Sequence, residues 1–304
     1  MQNKNLRTFS IIAIIAVQVH LIWYLIERSN RRSERDRQVL AQLAAEFANA
    51  VTEFNLDVDR LEEIEDHPSV FLSWKPYFTT ASRELTYDGS VLITGPPRYP
   101  AELVGRLVSK SIITGDLPTP GLVKIESNQS FGSLRLKRGS QFFPNINTSH
   151  TSHTTLTVDL QGKVHEYAGY VTIDGKTIES QINVPLLFPD RPVSVGDSWG
   201  LDGNIHPHDA TKVTFAGAKL SRIVDFESQP HAIVQAEVRS RCNLKKAAGG
   251  VVELPPGMDD NEFVDVTEKR TYLIRVSTSE IIWIEVNSQM GPLGSCTAQM
   301  RLAS

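Results

Sequence analysis

Short apolar runs alternate with turn residues along most of the chain, a pattern typical of β-structure. A run at 156–160 and a second at 163–167 flank Gln161-Gly162, and runs at 170–173 and 176–184 flank Asp174-Gly175. Further alternating runs lie at 212–215, 219–226, 232–238, 271–276 and 281–286. Two-residue turn signals between such runs predict β-hairpins. We therefore predict a mainly β fold, an antiparallel sandwich or open barrel, over residues 68–304.

The first part of this region has a less regular pattern. Asp88-Gly89 lies between two apolar runs and predicts a further hairpin. The stretch from Pro100 to Ile113 predicts a short helix that begins at its proline. Residues 143–152 and 247–261 are rich in small polar, glycine or proline residues and predict loops. An alternative division therefore treats residues 68–150 as a separate α+β lobe.

A long uncharged run near the N-terminus predicts a transmembrane helix. It begins at Phe9, ends at Ile26 and has Trp23 and Tyr24 close to its end. As a helix the run is long enough to span the hydrocarbon core of a bilayer, and aromatic rings favour the headgroup level. No small-x-small cleavage site follows it directly, so an uncleaved anchor over residues 1–32 is favoured over a signal peptide. The lipid bilayer is thus the first predicted partner.

The side of the membrane on which the large region lies is set by two conflicting arguments. Five arginines follow the apolar run, which by the positive-inside rule places the large region in the cytoplasm. One large β-rich region behind an N-terminal helix is more often exported. We favour the extracytoplasmic side.

Residues 33–67 carry a helical pattern between the anchor and the β region. Apolar residues at 40, 44, 47, 51, 54, 58 and 61 are spaced alternately by four and three, the spacing of a heptad seam. This stalk either self-associates through residues 40–61 or packs as one amphipathic helix on the β region. Pro68 ends the pattern.

Charge and cysteine content exclude several classes of protein. Residues 1–37 are net basic, whereas the chain as a whole has a net charge of −4, so the large region is acidic. An acidic region argues against nucleic acid as a partner. Two cysteines, Cys242 and Cys296, are too few for a disulfide framework. They form either one disulfide or two buried thiols.

The segment from Pro185 to Trp199, PLLFPDRPVSVGDSW, resembles a phrase in secreted or envelope-anchored, β-rich bacterial proteins that have no assigned activity. The similarity extends over about residues 154–290 and implies an exported β domain without supplying an activity. The residues themselves predict a structural role. Gly196-Asp197 favours a tight turn, and Trp199 is expected to pack into the core.

Candidate chemistry is limited to the histidines. His150 and His153 lie three residues apart, and His206 and His208 lie two apart beside Asp209. These four are the candidates for a metal site, although Pro207 favours a loop and we expect no bound metal. HExxH, GxxxxGK[ST] and GxGxxG motifs are missing from the sequence. Gly196-Asp197-Ser198-Trp199-Gly200 fits the GxSxG pattern, but it lacks the strand–elbow–helix context of a nucleophilic serine, so neither a catalytic residue nor a cofactor is predicted.

Three hypotheses about function remain. The leading one is a membrane-tethered, non-enzymatic β domain with a binding or structural role in the cell envelope. The second is a β domain that holds an amphiphile or lipid in an apolar cavity. The third and weakest is a metal-dependent hydrolase in which His150, His153, His206 and His208 converge.

Overall fold

A computed structural model describes residues 56–74, 83–94, 102–114, 121–138, 141–142, 150–173, 176–179, 186–202, 211–243, 263–291 and 294–302. The predicted anchor, the predicted stalk up to residue 55, and both His206 and His208 lie outside these ranges. None of the helical segments within them has the length and hydrophobicity that a bilayer crossing requires.

The described part of the chain is almost entirely β-strand. One 3₁₀ turn, Val58–Arg60, precedes the strands. The strands are β1 (Arg83–Thr94), β2 (Glu102–Thr114), β3 (Val123–Arg138), β4 (Gln141–Phe142), β5 (His150–Val158), β6 (Val164–Ile173), β7 (Lys176–Glu179), β8 (Ser198–Asp202), β9 (Thr211–Phe226), β10 (Gln229–Asn243), β11 (Phe263–Arg275), β12 (Glu280–Gln289) and β13 (Ser295–Leu302). The mainly β prediction is confirmed.

All thirteen strands belong to one open antiparallel sheet, so the described strands do not form a two-sheet sandwich. Its order is β7-β6-β5-β3-β2-β1-β13-β12-β11-β10-β9-β8, with β4 paired to β3. Two meanders are therefore joined side by side. The first runs from β1 to β7 and the second from β8 to β13. The β1–β13 pairing joins them, from Tyr87 opposite Leu302 to Thr94 opposite Ser295.

Alternation along the strands separates a core face from an outer face. In β11 and β13, buried positions alternate with half-buried or exposed ones. The core face carries a hydrophobic cluster that draws on both meanders, for example Val91, Ile125 and Leu156 from the first and Leu220 and Val234 from the second. Both meanders thus contribute to a single core.

Two extended segments pack against this core. Val70 pairs with Val193 through two backbone hydrogen bonds, and the Trp74 amide donates to the Leu160 carbonyl in the β5–β6 turn. The Phe188 amide donates to the Gln161 carbonyl in the same turn. Residues 64–74 and 186–193 therefore connect the second meander with the first.

A second, smaller cluster lies on the outer face, at one end of β9–β12. Val224, Ile233, Leu273 and Trp283 are its buried members, and Leu56, Val58, Leu61 and Phe226 pack against them. We call residues 56–64 the strap. It also pairs with the exposed edge of β9, because the Ile64 amide donates to Ile223 and the Asp225 amide donates to Glu62. Burial on both faces explains the unbroken apolar runs in these strands.

Three local predictions were wrong. Residues 102–114 form strand β2 and not a helix that starts at Pro100, because pairing with both β1 and β3 overrides the weak helical pattern. Asp88-Gly89 is not a turn, since β1 continues through it. A Cβ on Gly89 would lie 2.1 Å from the Gln299 carbonyl oxygen, so this glycine permits a close approach of β13. Residues 150–152, predicted as loop, begin strand β5.

The predicted stalk helix does not continue through residues 56–67. Asp57 caps a single 3₁₀ turn by accepting from the Asp59 amide, and Leu61 is already extended. Pairing with the edge of β9 satisfies the backbone of the next residues and replaces helical hydrogen bonds. The last two positions of the heptad pattern, Val58 and Leu61, pack against the sheet of the same chain.

The turn predicted before Trp199 is present. Gly196 has a φ of +97°, and the Asp197 amide donates to the Ser194 carbonyl. The Asp197 carboxylate accepts from the Ser194 amide at 3.0 Å, which is the side-chain bond expected of an Asp in a turn. The Gln161-Gly162 and Asp174-Gly175 hairpins also pair as predicted.

Candidate functional site

A depression of about 620 Å³, lined by both polar and apolar groups, lies on the outer face of the second meander. Strands β8 to β12 contribute to its lining, so it is formed entirely by neighbours in one sheet. The outer-face side chains around it are Ser198, Phe215, Lys219, Gln235, Glu237, Arg239, Lys269, Thr271 and Asn287. A depression of this size falls within the range of small-ligand sites.

Gly217 lies in the floor of the depression. Gly200 and Gly217 are direct cross-strand partners on β8 and β9. A Cβ on Gly217 would lie 2.5 Å from the Phe215 ring, so the ring lies over this glycine. Arg239 is the cross-strand partner of Phe215, and its guanidinium carbon lies 5.1 Å from the ring centroid. The ring is thus fixed in place beside the opening.

Positive charge exceeds negative charge around the depression. Arg239 forms an ion pair with Glu237. Lys219 and Lys269 are exposed, and neither forms an ion pair within the described residues. The strand register places Lys219 opposite Gln235, and Lys269 opposite Glu237. Two ammonium groups therefore flank the central strand β10.

Beyond Lys269, the side chains of β12 and β13 are fixed by hydrogen bonds. The Asn287 amide donates to Glu285 at 2.7 Å and Gln299 donates to the other Glu285 oxygen at 2.6 Å. The Thr297 hydroxyl donates to Asn287 at 2.8 Å. These side chains extend the polar surface of the depression with little freedom to rotate.

A separate polar group is buried in the core face of β11. One oxygen of Glu268, Oε2, accepts from Arg270 Nε at 3.0 Å and Nη2 at 2.6 Å, and both side chains are almost fully buried. The other oxygen, Oε1, lacks a hydrogen-bond partner, as does the hydroxyl of Ser288 on the adjacent strand. Burial raises the pKa of Glu268, although Arg270 opposes the shift.

The two cysteines are buried as reduced thiols and do not form a disulfide. Burial, together with the charge of Glu268, raises the pKa of Cys296 to about 12. The thiolate is the reactive form of cysteine, so Cys296 is unsuited to act as a nucleophile.

The histidine candidates are only partly within the described residues. His153 on β5 is exposed, and its Nδ1 lies 2.8 Å from the Asn128 side-chain oxygen. His150 begins the same strand, and positions three apart on a strand fall on opposite faces. Within the described ranges, no group of three or more histidine, cysteine or acidic residues could hold a metal ion.

Trp199 belongs to the core face, as predicted, but it is only half-buried. It packs against the main cluster, and its indole Nε1 donates to the Leu187 carbonyl at 2.6 Å. The outer-face residues Phe215, Lys219 and Lys269 were missed by sequence reasoning. Their only signal was alternation within the segments that form β9 and β11, which does not reveal which strands are neighbours.

No family model matches the chain, and a search of curated proteins finds no match. The fold and the depression therefore define only a class, an open antiparallel sheet with a polar candidate site on its outer face.

Proposed function

We propose that this chain is a membrane-tethered, extracytoplasmic binding module without enzymatic activity, and that the depression on the outer face is its binding site. The observation that carries the proposal is the depression itself. It combines an aromatic ring, two exposed ammonium groups and several amide and hydroxyl groups in about 620 Å³. A few polar groups around an accessible surface are typical of a site that orients a ligand.

The tether rests on the uncharged run from Phe9 to Ile26. The strap follows the predicted anchor in the sequence and packs on the outer face. Ile233 and Leu273 in the strap cluster lie two residues from Gln235 and Thr271 in the depression. If the predicted anchor holds the chain in a bilayer, the strap would join the domain beside the proposed binding site.

The chemistry of the perturbed groups favours binding over catalysis. Glu268 and Cys296 are buried in the core face, on the opposite side of the sheet from the depression. Catalytic groups usually combine a shifted pKa with access to a cleft. Among the described residues, the raised pKa values of Glu268 and Cys296 belong to the packed interior.

The amphiphile-binding alternative requires an apolar cavity on the core face. Within the described residues that face is packed with side chains such as Leu72, Leu220 and Val234, each at most 1% exposed. The hydrolase alternative requires at least three of the four histidines to converge near a carboxylate, and only His150 and His153 lie in described strands. Neither alternative is supported by an observation comparable to the depression on the outer face.

Occupancy of the site can be tested without knowing the ligand. The full-length chain in its native membranes, and the same chain after purification, are treated with a small amine-acylating reagent, and modification rates are read by mass spectrometry. We expect Lys219 and Lys269 to react at least threefold more slowly in native membranes. Lys163, exposed in the β5–β6 turn, is the internal control. If the ratio of the modification rate after purification to that in native membranes were equal for all three lysines, the proposal would be contradicted.

Sidedness needs a separate experiment. Ser277 is exposed in the β11–β12 turn, whereas Cys242 and Cys296 are buried, so a Ser277→Cys variant offers one accessible thiol within the described residues. We expect an impermeant maleimide to label this variant on intact cells. Labelling only after lysis would place the domain in the cytoplasm and refute the extracytoplasmic part of the proposal.

A further inference from the structure

The outer face presents a continuous polar row that crosses five strands. Reading the register from β9 to β13, its members are Gly217, Glu237, Lys269, Asn287 and Thr297. Adjacent strands lie about 4.8 Å apart, so the row is roughly 20 Å long. It begins at the glycine floor of the depression and continues along surface that is half-buried or exposed. A ligand larger than the depression could therefore lie across the strands.

The row, together with the neighbouring row of Lys219, Gln235, Thr271, Glu285 and Gln299, offers both hydrogen-bond donors and acceptors. Glu237 and Glu285 carry acceptor oxygens, whereas Lys219 and Lys269 are donors only. Gln235, Asn287 and Gln299 can do both. A ligand rich in hydroxyl groups matches such a mixture, because each hydroxyl donates one bond and accepts others. A bare polyphosphate matches it poorly, since it offers no hydroxyl groups from which the carboxylates could accept hydrogen bonds.

The charge balance indicates that the ligand also carries negative groups. The carboxylate of Glu237 is already paired with Arg239, and Glu285 accepts from two amides. Lys219 and Lys269 are left to interact with a ligand. From strand spacing and rise, their Cα atoms are roughly 12 Å apart. This spacing suits negative groups that are separated along a chain more than one compact anion.

The Phe215 ring supplies an apolar surface at one end of the row. The ring is half-buried over Gly217, and the guanidinium carbon of Arg239 lies 5.1 Å from its centroid. An aromatic ring beside amide, hydroxyl and carboxylate groups can contact the C–H face of a sugar while the polar groups bind its hydroxyls. Aromatic contact and polar contact are thus available to the same ligand.

We propose that the row binds an acidic oligosaccharide, a sugar chain that bears carboxylate, sulfate or phosphate groups. This inference rests on the proposed binding function and names the class of ligand for the same site. Phe215 would contact a sugar ring, Lys219 and Lys269 would pair with the acidic groups, and Glu237, Asn287 and Gln235 would bind hydroxyls.

The test uses the full-length chain in detergent micelles on an array of uronate-, sulfate- and phosphate-bearing oligosaccharides. Each is printed beside its neutral counterpart, and inorganic polyphosphate is included as a sugar-free polyanion. We expect at least one acidic oligosaccharide to bind at least tenfold more tightly than its neutral counterpart. The Lys219→Ala/Lys269→Ala variant should lose at least tenfold in affinity for that sugar and show a smaller dependence on salt.

Matched controls separate the site from general charge effects. Lys110→Ala and Lys163→Ala remove exposed lysines of the first meander and should leave binding unchanged. Phe215→Ala should weaken acidic and neutral sugars alike. Equal affinity for acidic and neutral sugars would contradict the proposed recognition of acidic groups. Tighter binding of polyphosphate than of any acidic sugar would contradict the proposed recognition of a sugar chain. Protection of Lys219 and Lys269 in native membranes without binding to any sugar would refute this inference alone. If the two lysines were not protected in native membranes and no sugar bound, the proposed function would be refuted as well.

Discussion

At the scale of single residues, the geometry supports no ligand-binding role for the polar groups buried in the sheet. These groups instead affect how the stability of the domain depends on pH. His231 is an example. It is 0% exposed on β10, its ring stacks edge-on against Phe226, and its Nδ1 lies 2.9 Å from the Gln229 carbonyl. Its Nε2 has no hydrogen-bond partner. A proton added there would carry charge into an apolar region.

We predict that His231 makes the domain less stable in mild acid. Burial lowers its pKa in the folded state below the ordinary 6.5, with the Gln229 hydrogen bond, Glu227 and Asp225 opposing and Arg275 assisting. The unfolded chain therefore binds this proton at a higher pH. Above about pH 6.5, His231 is neutral in both states and the free energy of unfolding is unaffected. As the pH falls from there towards the folded-state pKa, the free energy of unfolding decreases by at most about 1.4 kcal/mol per pH unit.

Urea unfolding at pH 7.5, 6.5 and 5.5 measures this effect. A His231→Gln variant keeps a hydrogen-bond donor and cannot titrate, so its free energy of unfolding should fall less than that of the parent over the same range. Parallel pH profiles for the two proteins would show that His231 does not contribute.

At the scale of elements, the strap shows how a sequence pattern can be correct in its apolar positions and wrong in its secondary structure. The seam positions Val58 and Leu61 do contact an apolar surface, which is the second cluster around Trp283. The conformation is nevertheless extended, because an unpaired edge of β9 offers backbone hydrogen bonds that the local pattern cannot reveal. Arg222 then fixes the strap by donating to the Val58 carbonyl and to Asp59.

The sequence could predict features that have local signals, and it could not predict pairings between distant residues. Period-two alternation and Gly-containing turns identified most strands and two hairpins, since both signals are local. The pairing of β1 with β13 joins residues more than 200 positions apart, and no local signal encodes it. The candidate site depends on register across five strands, so Phe215, Lys219 and Lys269 could not be brought together from their spacing.

We predict that the strap stabilises the second meander. Leu61→Asp places a charge against the Trp283 cluster and should lower the free energy of unfolding by about 2 kcal/mol, through lost apolar burial and strap contacts. Hydrogen exchange should increase in peptides that cover 223–233 and 273–283. Leu160→Asp, at an exposed position in the β5–β6 turn, is the matched control and should change neither measurement. Unchanged exchange in the 273–283 peptide of the Leu61 variant would show that the strap does not protect the cluster.

At the scale of the whole molecule, two meanders act as one folding unit because three connections join them. The sheet is continuous through the β1–β13 pairing. The main core includes residues of both meanders. Residues 64–74 and 186–193 link the second meander to the β5–β6 turn of the first. Most of these contacts are distant in sequence, which favours slow folding.

Gly89 tests how strongly this unit depends on the β1–β13 pairing. A Cβ at this position would lie 2.1 Å from the Gln299 oxygen and 2.9 Å from the Met300 Cα, so the backbone of β13 itself must move. We predict that Gly89→Val lowers the free energy of unfolding by about 3 kcal/mol, in the upper range for overpacking. The other two connections persist, so calorimetry should still show one transition, with its midpoint lowered by roughly 6–12 °C.

Thr86→Val on the same strand is the control, because its outer-face side chain is only half-buried. Its midpoint should change by less than about 2 °C. Two separate transitions in the Gly89 variant would show that the pairing alone couples the meanders, and that the shared core and the linking segments contribute little to cooperativity. An unchanged single transition would show that β13 can shift at this point without cost. The predicted outcome lies between these two, because loss of one connection weakens a unit that the remaining connections still hold together.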